Sequence, residues 1–156
     1  MLTTAQMQTL ATALRAEQDA GVVAAMAIRN DVALTSWCNS LSAVDAWSEA
    51  VPSRDMFEAM NITKFDNLTA GKRDAWRVLL DFAPIDFTRQ KMRKAIEDIW
   101  SAADGVAILQ SFTRKATQAE KYLGGTDATT NTVTAKKLNY TGSVSIDDVS
   151  NALNAY

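Results

Sequence analysis

The stretch "GGTDATTNTVTAKKLNYTGSVS", Gly124 to Ser145, decides how this chain is read. Its paired glycines end a helix, because glycine accepts the left-handed conformation at a helix C-terminus and weakens any continuation. The threonine-rich "TDATTNTVT" reads as an extended loop. "KKLNYTGSVS" alternates weakly, placing Leu138 and Tyr140 on one side of a strand, with Val144 as partner after a turn at Thr141–Gly142. A lone two-stranded hairpin is marginal in water, so this segment must lean on something. Everything before it carries helix signals. The expected fold class is therefore mainly α: a compact multi-helix domain over residues 1–125, then an extended, partly β C-terminal arm with a short terminal helix over residues 126–156.

Working upstream, Thr3 and Gln6 stand at capping-box spacing ahead of Met7, Leu10, Ala11 and Leu14, which recur at helical intervals. Asp19 is placed to cap a second helix carrying Val22, Val23, Met26 and Ala27, and Asp31 a third carrying Leu34, Trp37, Cys38 and Leu41. Pro52 interrupts, and Ser53 can cap a short turn presenting Met56, Phe57 and Met60. After the polar "NITKFDN", Thr69 begins a helix with Trp76, Leu79 and Leu80 inward and Lys72, Arg73 and Arg77 outward, ending before Pro84.

"FTRQKMRKAIEDIWSAAD" gives the clearest helix, with Met92, Ala95, Ile96, Ile99 and Ala103 on one stripe, the charges mostly away from it, and Gly105 suited to its C-terminal cap. A last helical run extends from Val106 to Leu123. Beyond the opening stretch, Ser145 and Asp148 repeat the capping-box spacing and introduce a terminal helix through Val149, Ala152 and Leu153.

At 156 residues the chain fits one domain, and a second complete core is not expected. The apolar fraction of 47% and charged fraction of 22% are those of a folded globular chain. No window approaches the roughly 18 uninterrupted apolar residues of a membrane span, so no membrane partner is expected. The N-terminus lacks the basic and apolar regions of a signal peptide, so the chain should remain in the cytoplasm where it is made. The formal charge of −2 conceals a gradient: residues 1–60 carry a net −4, residues 61–125 a net +3 and residues 126–156 a net −1. Such a split can orient copies against one another or against a charged partner.

Chemistry has little to stand on. With no histidine the usual base for a serine or cysteine nucleophile is missing, and with one cysteine the usual zinc sites and any internal disulfide are excluded. Cys38, between Trp37 and Leu41, reads as a small buried hydrophobe. Asp147/Asp148 and Glu97/Asp98 are sequence neighbours, which on a helix diverge by about 100° instead of converging. No phosphate-loop or dinucleotide pattern appears, so neither an enzyme nor a cofactor is expected. The basic residues Arg89, Arg93, Lys94, Arg114 and Lys115 are the candidates for contact with DNA or a partner, set against their reading as a solvated helix face. The four tryptophans read as core, with Trp47 partly exposed because Asp45, Ser48 and Glu49 surround it.

Three segments, "LTTAQMQTLATALRAEQDAGVVAAMAIRNDVALTSWCN", "MRKAIEDIWSAADGVAILQSFTRKATQAEKYLGG" and "LNYTGSVSIDDVSNAL", together give a chain that resembles a family of small tailed-bacteriophage proteins of largely unassigned role. The likeness spans nearly the whole chain and includes no catalytic motif. It implies a virion protein, made in the host cytoplasm, in the neck between head and tail: a head–tail connector or adaptor that forms a homo-oligomeric ring and meets portal or tail proteins. In that setting Thr132, Val133, Thr134, Leu138, Tyr140 and Val144 would form an inter-subunit arm, adding backbone donors and acceptors to a neighbour's sheet edge. The alternative is a small helical DNA-binding or regulatory phage protein that uses the five basic residues above.

Overall fold

Helix α1 (Thr4–Ala16) begins as its sequence requires: Thr3 Oγ1 accepts from the Gln6 N–H at 3.3 Å, and the Gln6 side chain accepts from the Thr3 N–H at 2.9 Å. The structure is a computed structural model and describes residues 1–130 and 132–156. Asp19 Oδ1 accepts from the N–H groups of Gly21 and Val22 and starts α2 (Ala20–Ala27). The next helix, α3 (Asp31–Cys38), is capped one residue earlier than expected, by Asn30, whose side chain accepts from Ala33 N–H at 3.0 Å. Arg29 sets this boundary. It adopts φ 54°, reversing the chain, and its side chain pairs with Asp31 at 2.9 Å.

Leu41, expected on the same helical face as Leu34, has left the helix and opens strand β1 (Leu41–Trp47), where it is 69% exposed. Trp47 corrects its expectation in the other direction, at 1% exposure. Its indole N–H donates to Ala128 O at 2.8 Å and its ring lies 5.0 Å from the Arg93 guanidinium. Both partners are distant in sequence, so the polarity of its sequence neighbours carried no information about them.

Pro52, not Ser53, is the N-cap of α4 (Ser53–Ala59). The polar stretch after it holds α5 (Ile62–Asp66), started by Asn61 accepting from Lys64 N–H at 3.1 Å, and α6 (Ala70–Asp81) follows with Trp76 fully buried. The single long helix expected near residue 95 is two: α7 (Gln90–Ile99) and α8 (Ala102–Ser111). Trp100 turns extended with ψ 160°, and Ser101 caps the second helix by accepting from Asp104 N–H at 3.3 Å. Gly105 lies inside α8 rather than capping α7.

The expected run from Val106 to Leu123 is likewise interrupted, by strand β2 (Thr113–Thr117). Thr117 and Glu120 then form a reciprocal capping box for α9 (Gln118–Leu123). Strand β3 (Gly125–Asp127), strand β4 (Lys136–Leu138) and α10 (Ile146–Ala155) complete the chain, the last opened by the Ser145/Asp148 box. The strand order is β2-β1-β4-β3, with β4 parallel to β1 and Ala46 opposite Lys136. Val144 does not pair with a strand at 138–140. Its backbone N–H and C=O both bond the Asn39 side chain, each at 2.9 Å.

The fold is mainly α with a small four-stranded sheet, and its chain divides into two compact units. Residues 1–44, 115–126 and 138–156 form unit 1, and residues 45–114 and 127–137 form unit 2. In unit 1, α1, α2, α3, α9 and α10 enclose a core of Leu10, Leu14, Val22, Leu34, Leu123, Val149 and Leu153. In unit 2, Trp47, Met56, Trp76, Phe87, Ile96, Leu109 and Phe112 form a separate core, with Phe87 and Phe112 stacked at 4.5 Å. Two cores replace the single one expected. Residues 126–156 are divided between the units, 127–137 with unit 2 and Thr126 together with 138–156 with unit 1.

Truncation after Gly125 therefore removes Val144, Val149, Ala152 and Leu153 from the core of unit 1. Single large-to-small core changes cost roughly 2–5 kcal/mol against a total of roughly 5–15 kcal/mol. The truncated chain is expected to lose the cooperative urea transition of unit 1, followed by circular dichroism. A native-like transition in that chain would show that 138–156 is dispensable.

Candidate functional site

Among the described residues three charged side chains are buried, Arg93, Glu120 and Asp148, and each of them bonds non-helical backbone. In unit 2, amphipathic α7 would ordinarily send Arg93 to solvent, but the residue is only 4% exposed. Its Nη1 donates to the carbonyls of Phe87 and Thr88 at 2.7 and 2.8 Å, and its Nε donates to Thr130 Oγ1 at 2.6 Å. Burial works against the charged form of this guanidinium, while the carboxylates of Glu97 and Asp86 favour it. No carboxylate bonds it directly. The residues it holds belong to the segment before α7 and to 127–137, which also pairs internally through Ala128 with Ala135 and Thr130 with Val133.

In unit 1 the segment 141–145 has three of its N–H groups bonded by side chains from α9, α10 and the residue that follows α3. Gly142 N–H reaches Glu120 Oε1 of α9 at 3.0 Å, Val144 N–H reaches Asn39 beyond α3, and Ser145 N–H reaches Asp148 Oδ2 of α10 at 3.0 Å. Asp148 also accepts from Leu2 N–H at 2.8 Å, tying the start of the chain to the start of its last helix. Burial alone would raise the Asp148 pKa. The hydrogen bonds from Leu2 and Ser145 outweigh it and hold the carboxyl below the ordinary aspartate value. At the unit's surface, Tyr122 bonds Glu17 and stacks on Trp37 at 5.8 Å, and burial together with Glu17 pushes its phenol up to about 12.

The residues singled out by sequence differ in burial and are divided between the two units. Of the arm set, Val133, Leu138 and Val144 are buried within the chain, at 6%, 8% and 3% exposure, Tyr140 is half-buried, and Thr132 and Thr134 are exposed. Of the basic set, Arg93 is a correction: it belongs to the interior and is not a surface contact. Arg89 is exposed and paired with Asp86 at 3.1 Å, Lys94 is exposed and bonded to Asp98, Arg114 is half-buried, and exposed Lys115 lies 3.4 Å from Ala43 O. Glu120 and Thr130 were missed. Glu120 had a signal, since Thr117 precedes it at capping-box spacing.

Cys38 is buried, and burial raises its thiol to about 12, far from a reactive thiolate. Among the described residues no group of three His, Cys, Asp or Glu is placed to hold a metal ion, and no helix is long and apolar enough to cross a membrane. No protein family, curated protein or solved structure matches the chain.

Replacing Arg93 with Met would leave two carbonyls and a hydroxyl without their donor, at about 1–3 kcal/mol for each buried group left unmatched. Urea unfolding should show a loss of several kcal/mol for Arg93→Met, while Arg89→Gln should stay within about 0.5 kcal/mol of the parent. Asp148 carries a pH signature. Its folded-state pKa lies below its unfolded one, so its stabilisation is present above the unfolded value and disappears as pH falls through the folded value. Asp148→Asn should flatten the acid limb of the stability–pH curve, and an unchanged limb would show that other carboxyls carry it.

Proposed function

We propose that the chain is a structural virion protein of a tailed bacteriophage, a ring-forming neck component of head–tail connector or adaptor type that works through subunit–subunit contacts. The resemblance of its three long segments to small phage proteins supports the virion setting. The surface of α2 and α3 supports assembly and carries the reading.

There Val23, Ile28 and Val32 stand 51%, 75% and 64% exposed. The turn that presents them is built firmly. Arg29, in its left-handed conformation, bonds Asp31 at 2.9 Å, Ser150 O at 3.2 Å and Asn154 Oδ1 at 2.8 Å, so Ile28 is held outward by a turn anchored to α10. A non-glycine residue at positive φ costs of order 1–3 kcal/mol, and it persists where its surroundings over-determine it. Large apolar side chains held in water on a rigid support are what an association surface offers. A ring in which this surface of each copy meets a different surface of the next is a heterologous, closed assembly.

The buried charged side chains fit the same reading, because Arg93, Glu120 and Asp148 bond the chain's own backbone. Burial of Arg93 also removes the middle member of the basic set on which contact with passing DNA would rest.

Light scattering after size exclusion, over a range of concentrations, tests the proposal. The full chain should show a defined multiple of 17.0 kDa, and a double variant Ile28→Asp, Val32→Asp should shift to the single-chain mass while keeping its circular dichroism spectrum. A chain that stays at 17.0 kDa at every concentration, with or without the substitutions, would remove self-assembly as its mode of action.

A further inference from the structure

We propose that the α2 and α3 surface of one copy docks on α6 of the next, along a stripe of Gly71, Ala75, Val78 and Phe82. The inference rests on the assembly reading above and names the second surface that a heterologous ring requires.

The stripe follows from helix geometry. Its residues recur at intervals of four, three and four, which stacks them on one side of α6, and Phe82 as C-cap keeps helical angles at φ −85° and ψ −2°. The core is served by Trp76, fully buried on a different side of the helix. All four stripe residues are exposed, Val78 at 50% and Phe82 at 73%. A Cβ at Gly71 would meet no atom within 4 Å, so packing inside the chain does not require glycine there. Within a helix glycine costs about 1 kcal/mol relative to alanine. An open place at one end of an apolar stripe gives room for a neighbour's side chain.

Size is matched between the two surfaces. On α2 and α3 the exposed Ala24, Ala27 and Ala33 are interspersed with Val23, Ile28 and Val32, so the face is made of short and branched side chains. The α6 stripe offers the complement, a single large aromatic next to Val78 and two small residues. Aromatic anchors set among smaller side chains carry much of the energy of protein interfaces.

Charge selects the occupant. Residues 17–33 carry Arg29 against Glu17, Asp19 and Asp31, a net −2, and Arg29 is already bonded to Asp31, Ser150 and Asn154. Residues 70–82 carry Lys72, Arg73 and Arg77 against Asp74 and Asp81, a net +1. Either surface paired with its own copy would bring like charges together. Paired with each other they are opposite in sign, and such complementarity favours the right partner and fixes its register.

The test uses two full-length variants, Ile28→Asp with Val32→Asp, and Val78→Asp with Phe82→Asp, measured by light scattering after size exclusion at concentrations where the parent assembles. Each alone should fall to 17.0 kDa with an unchanged circular dichroism spectrum. Mixed in equal amounts they should form a one-to-one complex of twice that mass, because each supplies the half-interface the other lacks, and growth should stop there. If the α6 variant loses its helical spectrum, Ala75→Arg, which places a charge in the middle of the exposed stripe, takes its place. An α6 variant that keeps the parent's mass, or two single-chain variants that do not combine, overturns α6 as the docking surface. Dissociation of the Ile28→Asp, Val32→Asp variant in that same experiment would leave the assembly reading standing, whereas a parent of 17.0 kDa throughout would remove both.

Discussion

Backbone that is neither helix nor sheet interior must still bond its N–H and C=O groups, and in this protein buried charged side chains do much of that work. Arg93 donates to two carbonyls and a hydroxyl in unit 2, while Glu120 and Asp148 accept from backbone N–H groups in unit 1. Thr130, Gly142 and Ser145 in the irregular stretches of the C-terminal segment are held by these bonds. Charge-assisted hydrogen bonds are roughly twice as strong as neutral ones, so a few of them can hold segments too short to stabilise themselves. The segment 141–145 illustrates the economy: Glu120, Asn39 and Asp148 each hold one of its N–H groups, and Val144 between them enters the core.

The same arrangement bears on how the protein meets others. The side chains expected in an arm are in part enclosed, since Val133, Leu138 and Val144 are buried in the single chain. What faces water instead is the apolar set of α2 and α3, and in unit 2 Phe57, Ile62, Val78 and Phe82, all at least half exposed. The assembly reading therefore rests on helical surface. Its rigidity comes from Arg29, which bonds both its own turn and the last helix.

Where the sequence was informative, the signal was local. The capping pairs at Thr3 with Gln6 and Ser145 with Asp148 marked their helices, and so did Asp19, because each cap bonds backbone within three residues of itself. Periodicity failed where two elements follow without a breaker. "FTRQKMRKAIEDIWSAAD" keeps a helical stripe straight through the break at Trp100, and "SFTRKATQAE" keeps one through β2, since Thr113, Ala116 and Thr117 satisfy either pattern. β1 was lost for the same reason.

The chain by itself determined the helix-rich class, the positions of the helices with capping signals and the interruption at Gly124–Gly125, all of which depend on interactions spanning a turn or two. Only the tertiary structure decided that there are two cores, that residues 126–156 are shared between them, and that Trp47 and Arg93 lie inside. The physical reason is the range of the bonds concerned. Arg93 is buried because its charge finds acceptors at Phe87, Thr88 and Thr130, and Trp47 because its indole finds Ala128. No residue adjacent to either in sequence supplies those partners, so the cost of burying a guanidinium is offset only once the fold has brought them together.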